Sequence, residues 1–205
     1  AAGARVFDFA WQDDFAAARN TALADAKEAG ADWVTVLDAD ETFFDPSKGR
    51  LFAARTDLGM ETVDAVQLPI LHVDEDDGGR EIKRQPYIRL LRMGRGLFYE
   101  GRVHEQLRKA GGEPALWTEG RHLPIRHTGY STGRIREKVR RNLALLLQEI
   151  AEGGKKPYHD RYLADCYYGL GDYEKALAHA RAARRSSVHS IGAESDLFRL
   201  MLDAM

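Results

Sequence analysis

Two aspartates one residue apart, Asp38 and Asp40, follow an apolar and β-branched run, Trp33-Val34-Thr35-Val36-Leu37. Such a run predicts a strand covered on both faces. Open α/β sheets bind ligands beyond the carboxyl ends of their strands. Carboxylates at this spacing can converge there on a hard divalent cation, Mg2+ or Mn2+, which keeps several waters and takes substrate phosphates into the rest of its shell. A nucleoside diphosphate suits that arrangement. The same acids can instead end the strand and cap the next turn. A second group with acid–base chemistry, Glu100, His104 and Glu105, lies within one short segment. It reads either as a proton-transfer cluster or as a solvated loop around a charge-satisfied His.

The elements needed to position these residues are visible as patterns. Arg5 to Phe9 predicts a short strand, and Asp13 or Asp14 can cap a helix that runs to about Ala29, with Phe15, Ala18, Ala22 and Ala26 at helical spacing. With the 33–37 strand this gives strand, helix, strand, the connectivity of a parallel βαβ unit with a right-handed crossover. Val63 to Val73 and Glu81 to Met93 read as two strands, paired antiparallel around the Asp- and Gly-rich stretch Asp74 to Gly79. That acidic stretch lacks the downstream Glu of a calcium loop and is a solvated turn. Leu97 to Glu105 and Leu116 to His127 continue an irregular β-rich region. From Arg134 the pattern changes: Ile135, Val139, Leu143, Leu146, Leu147 and Ile150 mark one face of a long helix closed by Gly153-Gly154. Beyond Pro157, Leu163, Ala164, Tyr167, Gly171, Tyr173, Ala176, Ala180 and Ala183 follow the spacing of a tetratricopeptide repeat, one helix hairpin with Gly171 at its turn. Ser190 to Met205 predicts a further helix packed on it.

Composition removes several classes of function. The 205 residues carry 30 Lys and Arg against 32 Asp and Glu, a formal charge of -2, so no global positive field exists to hold nucleic acid or anionic lipid. Hydrophobic content of 44% with 30% charged residues is that of a globular chain able to bury a core. No run approaches the ~18 apolar residues of a membrane span, and the opening residues have no signal-peptide pattern, so membrane insertion is not expected. Cys166 is the single cysteine, which excludes an internal disulfide or a multi-cysteine zinc site and suits the cytoplasm. On its alanine-rich helix it reads as a small core residue, Trp33 reads as core, and Trp11 with Asp13 and Asp14 reads as a helix start.

The stretch Phe9 to Asn20, with Ala18-Arg19-Asn20 at its end, followed by Asp32 to Glu41 ending in Asp38-Ala39-Asp40-Glu41, resembles the family 2 glycosyltransferases. Tyr99-Glu100-Gly101-Arg102-Val103-His104-Glu105-Gln106 and Ile125-Arg126-His127-Thr128-Gly129-Tyr130 are similar to later motifs of a subgroup with C-terminal tetratricopeptide helices. The resemblance implies an α/β fold: a partial GT-A sheet over residues 1–133, then an all-α tetratricopeptide-like region over 134–205. Members of the family begin with a strand, a helix and a second strand that cradle the uridine. This sequence shows none of that unit, which takes at least ~30 residues. The implied chemistry is metal-dependent inverting transfer of a sugar from a nucleotide sugar, a UDP-sugar, to a hydroxyl or thiol. Asp38 and Asp40 would hold Mg2+ or Mn2+ with the donor diphosphate, and His127 would give a nitrogen to the metal or a donor to the diphosphate. Arg19 would contact the nucleobase. The base that deprotonates the acceptor falls among Glu100, His104 and Glu105, with Glu100 favoured ahead of His104. The helical region hints at a peptide or protein acceptor. Two other readings stay open: a catalytically inactive scaffold whose helices dock a peptide or protein, and nucleotidyl transfer, which usually needs a Gly-rich phosphate loop that this sequence lacks.

Overall fold

A computed structural model describes residues 4, 6–45, 61–118, 123–129 and 135–185. In chain order these form α1 (Phe15–Glu28), β1 (Trp33–Thr35), β2 (Glu41–Phe43), β3 (Ala65–Asp74), β4 (Arg80–Arg92), β5 (Leu97–Glu100), β6 (Gln106–Lys109), β7 (Leu116–Thr118), β8 (Ile125–His127), α2 (Ile135–Gly153), α3 (His159–Leu170) and α4 (Tyr173–Arg185). The chain is thus mixed α/β, with α1 ahead of the strands and α2, α3 and α4 gathered at the C-terminal end of the described residues. The predicted helix at 190–205 lies outside the described residues.

The strand order of the larger sheet is β1-β4-β3-β8-β2, with β7 also paired to β3. Its centre is the β3–β4 hairpin, antiparallel as its turn residues predict, from Ala65 opposite Leu91 to Asp74 opposite Arg80. β7 and β8 run parallel to successive halves of β3 on its other edge. Val66, Leu68, Ile70, Leu90, Leu123 and Ile125 form the core on one side, and Ala16, Leu23, Ala65, Leu91, Tyr99 and Leu107 join α1 to the sheet and to the β5–β6 ribbon on the other. α1 begins where Asp14 accepts a hydrogen bond from the Ala17 N–H at 2.8 Å. Its Asn20 locks onto β5 with two bonds, donating to the Tyr99 carbonyl (2.9 Å) and accepting from the Tyr99 N–H (2.8 Å).

Three expectations about the first forty residues are corrected. Residues 6–9 form no strand: Val6 and Phe7 are exposed, and no sheet ladder includes this segment. β1 pairs antiparallel with β4, Trp33 opposite Arg92, so the opening is not a parallel βαβ unit among the described residues. The apolar run at 33–37 is an edge strand of three residues, half-buried rather than covered on both faces, and Leu37 is exposed. Alternating burial of Val34 and Val36 against the α1 side supplies the apolar pattern that reads as a fully buried strand.

α2 packs on α3 through Val139, Leu145, Leu146, Leu163 and Cys166, and Val103 and Phe15 enter the same cluster from the β5–β6 connection and α1. Burial drives the Cys166 thiol up to about 12, which makes it an inert core group as expected. Glu149 of α2 binds the helices to the sheet region. It accepts from the Arg102 N–H (2.9 Å), the Tyr158 hydroxyl (2.6 Å) and the fully buried His159 (Nε2, 3.1 Å). Burial works against its charge, but these bonds outweigh it and hold the carboxyl below its ordinary range.

α3 ends at Gly171, whose φ of 83° places it in the left-handed region that only glycine enters without strain. The alanine ladder then closes the hairpin: Ala176, Ala180 and Ala183 of α4 meet Ala164 of α3. The ladder therefore joins α4 to α3, while the contact with the long helix α2 is made by Leu163 and Cys166. Ala180→Leu is expected to overpack this contact and cost ~1 to 3 kcal/mol, read as a lower urea midpoint. Equal midpoints would count against the packing. No helix among the described residues is long and apolar enough to cross a membrane.

Candidate functional site

After Val36 the chain turns sharply. The Glu41 N–H donates to the Asp38 carbonyl at 2.9 Å, and the Glu41 side chain accepts from the Asp38 N–H at 3.1 Å. This closed turn places Asp38 and Asp40 at the rim with 42% and 41% of their side chains exposed, whereas Glu41 is 2% exposed and points inward. β8, lying between β2 and β3, brings a row of side chains to the same edge: His127 sits opposite Glu41 on one side and opposite His72 on the other. His127 Nε2 is 3.2 Å from Asp40 Oδ2, and its Nδ1 is 2.8 Å from His72 Nδ1. The Gly129 backbone packs against this pair. A Cβ there would collide with the Asp40 carboxylate and lie 3.0 Å from His127 Nε2.

On the other flank Arg19 and Arg89 form a ladder with three acids. Arg19 pairs with Glu105 through Nε and with Asp38 Oδ1 through Nη2 at 2.9 Å. Burial lowers the Arg19 pKa, but Glu105 and Asp38 outweigh it and hold the guanidinium above its ordinary value. Arg89 reaches Glu41 at 2.6 Å and the second Asp38 oxygen at 3.5 Å. The order is Glu105, Arg19, Asp38, Arg89, Glu41, with Asp40 and His127 alongside. Of these groups only Asp38 and Asp40 are half-exposed, while Glu105, Arg19, Arg89 and Glu41 are largely buried. Among the described residues the buried Tyr99 hydroxyl finds no hydrogen-bond partner, and burial raises its pKa.

The residues singled out by sequence are thus partly united. Arg19, Asp38 and Glu105 are in direct contact, and Asp40 and His127 form the neighbouring pair. Glu100 is elsewhere: its carboxylate binds Lys156 Nζ (3.0 Å) and Arg108 Nε (3.1 Å), and these bonds hold its pKa below the ordinary value. His104 is also apart from the ladder, stacked on Tyr162 with ring centroids 4.1 Å apart. Its φ of 55° is one that non-glycine residues seldom adopt. Arg89 and His72 lie in strands whose local pattern gives no sign of them, and only the register of β3, β4 and β8 shows their part.

Burial lowers the His104 pKa to about 4, with Lys138 and Arg161 acting in the same direction. As pH falls from the ordinary 6.5, the unfolded chain takes up a proton that the folded chain takes only near 4. His104 therefore contributes stability that is fully present above 6.5 and is lost as pH drops through 4, by up to about 3 kcal/mol. His104→Asn, which suits the positive φ, is expected to flatten the fall in urea midpoint between pH 7 and pH 4.5. His72, held at about 4 by burial and by His127, adds its own fall to both proteins. The difference between the two curves is therefore the measure, and identical slopes would reject the assignment.

Asp40 Oδ2 and His127 Nε2, 3.2 Å apart, fit two neighbouring positions of a Mg2+ or Mn2+ shell completed by water and phosphate oxygens, reached from the half-exposed Asp40 side because the His127 ring is buried. Both Asp38 oxygens face the arginines, and among the described residues no group of three His, Cys, Asp or Glu side chains is assembled as a metal cage.

No family model matches the chain. It is 28% identical over 183 residues to a TPR repeat-containing protein of Synechococcus elongatus, a match that covers 82% of this chain and 40% of that protein. It is also 27% identical over 143 residues to the SPbeta prophage-derived glycosyltransferase SunS of Bacillus subtilis, covering 66% of this chain and 30% of that enzyme. The glycosyltransferase SunS of Bacillus phage SPbeta matches to the same extent. The chain spans less than half the length of these relatives. The similarity links it distantly to the glycosyltransferase SunS and to a TPR repeat-containing protein.

Proposed function

We propose that the chain carries the cation and diphosphate side of a sugar-transfer site, of the GT-A kind that its resemblance to the family 2 glycosyltransferases implies. The observation that carries this reading is the half-exposed pair Asp38 and Asp40 in the turn after β1, with His127 on Asp40. Distant similarity to a glycosyltransferase points the same way.

Asp40 and His127 would hold Mg2+ or Mn2+, with Asp38 beside them. The cation supplies charge that stabilises the departing diphosphate. Arg19, tied to Glu105 and Asp38, presents its remaining guanidinium face to the nucleotide of a UDP-sugar. The acceptor's hydroxyl or thiol attacks the anomeric carbon as the bond to the diphosphate oxygen breaks, and the leaving oxygen takes that electron pair. The acceptor's proton passes to a carboxylate, for which Glu105 is placed at the ladder and Glu100 is not. Attack opposite the leaving group inverts the anomeric centre. The α3–α4 hairpin, tetratricopeptide-like in its spacing, supports a peptide or protein acceptor.

The test is donor hydrolysis and UDP binding across a panel of nucleotide sugars with Mn2+, Mg2+ or EDTA. Cation-dependent release of UDP from one donor is the expected result. Absence of any cation-dependent nucleotide binding would overturn the reading in favour of an inactive scaffold.

A further inference from the structure

The Asp38 to Glu41 turn depends on a side chain that lies outside it. Arg89 sits in β4, and its carbonyl accepts the Val36 N–H at 2.8 Å, just before the chain leaves the sheet. Its guanidinium grips the far end of the turn by a two-pronged contact, Nε to Glu41 Oε2 at 3.0 Å and Nη2 to Glu41 Oε1 at 2.6 Å. Nη2 also lies 3.5 Å from Asp38 Oδ2. Glu41 passes the hold on, because its Oε2 accepts from the Asp38 N–H and its own N–H binds the Asp38 carbonyl. One residue therefore fixes the entry to the turn through its backbone and the exit through its side chain. With Glu41 nearly fully buried, water has little access to replace either prong.

We infer that Arg89 is a positioning residue: through Glu41 it sets the turn that presents Asp38 and Asp40 to the cation. The consequence for cation binding rests on the proposed function, whereas the hold on the turn does not. A planar fork matched to a carboxylate does this work, and the point charge of a lysine does not reproduce it.

Three measurements on the intact protein test the inference: hydrogen exchange at the Asp38 amide, Mn2+ affinity by electron paramagnetic resonance with the metal alone, and melting temperature. In Arg89→Lys the Asp38 amide is expected to exchange at least ~10-fold faster and Mn2+ affinity to fall ~10- to 100-fold, the range of lost supporting contacts at metal sites. The double variant Arg89→Met with Glu41→Met replaces the buried ion pair by apolar groups and is expected to regain the melting temperature while Mn2+ affinity stays low. A purely structural role would let affinity return with stability. Restored Mn2+ affinity in the double variant overturns the inference, as do unchanged exchange and affinity in Arg89→Lys. If the unsubstituted protein binds no Mn2+, the cation reading fails, and faster or unchanged exchange at Asp38 still decides for or against the hold on the turn.

Discussion

Asp40→Asn is expected to lower cation-dependent UDP binding at least ~100-fold, equivalent to about 2.7 kcal/mol, and to abolish transfer, with no loss of fold. The main chain at this position is held independently of the side chain, since the Asp40 carbonyl accepts from the Thr128 N–H at 3.0 Å and the Thr128 hydroxyl at 3.3 Å. Asparagine keeps the size of the side chain and an oxygen facing His127, and what it removes is the negative charge. Asp38 is not a full substitute, because both its oxygens are engaged by Arg19 and Arg89. Gly129→Ala belongs to the same expectation by a different route, since the added Cβ is driven into the Asp40 carboxylate. Asp76→Asn, in the exposed turn between β3 and β4, is the control and should bind as the parent does. Calorimetry of UDP with and without Mn2+ reads all three. Unchanged cation-dependent binding in Asp40→Asn would remove this residue from the site.

What the sequence disclosed follows from how far apart the interacting groups lie along the chain. Asp14 caps α1 through a residue three positions on, Gly171 ends α3 within its own turn, and the Asp74 to Gly79 stretch reverses the chain between two strands, so each signature is local. The alanine ladder and the face of α2 are periodic, and periodicity survives without knowledge of the partner. Strand partnership has no such local trace. The apolar run at 33–37 gives the same letters whether β1 pairs in parallel with a preceding strand or antiparallel with β4, and it pairs with β4. The site divides along the same line. Asp38, Asp40 and the Arg19 helix are readable as motifs, whereas Glu41 meets Arg89 across 48 positions and His72 meets His127 across 55. Only the sheet order brings those pairs together. Glu100, His104 and Glu105 lie within six consecutive residues, yet the turn after β5 sends them to three different surroundings.

That divergence changes which residue is the stronger candidate for the base. A base must keep affinity for a proton and stand within hydrogen-bond reach of the acceptor. Glu100 is poorly placed on both counts, since Lys156 and Arg108 hold its charged form and direct it toward the helices. His104 has its affinity for a proton reduced by burial, and one ring face is covered by Tyr162. Glu105 is ion-paired as Glu100 is, but its partner is Arg19, which in turn holds Asp38, so position is what favours it: of the three it alone touches the ladder. Glu105→Gln is therefore expected to lose 10² to 10⁴ in turnover, the usual contribution of a general base, with little change in UDP affinity. Glutamine retains an oxygen for Arg19, so the ladder's geometry is kept while its proton affinity is gone. Glu100→Gln removes two ion pairs made by a carboxylate that is 45% exposed, and it should cost less than about 1 kcal/mol per pair in stability with turnover nearly intact. Single-turnover rates and nucleotide affinity measured for both variants separate the two residues. A large rate loss in Glu100→Gln with Glu105→Gln unaffected would place the acceptor at the helix junction. A loss of UDP affinity equal to the rate loss in Glu105→Gln would make that residue a support for Arg19 instead of the proton acceptor.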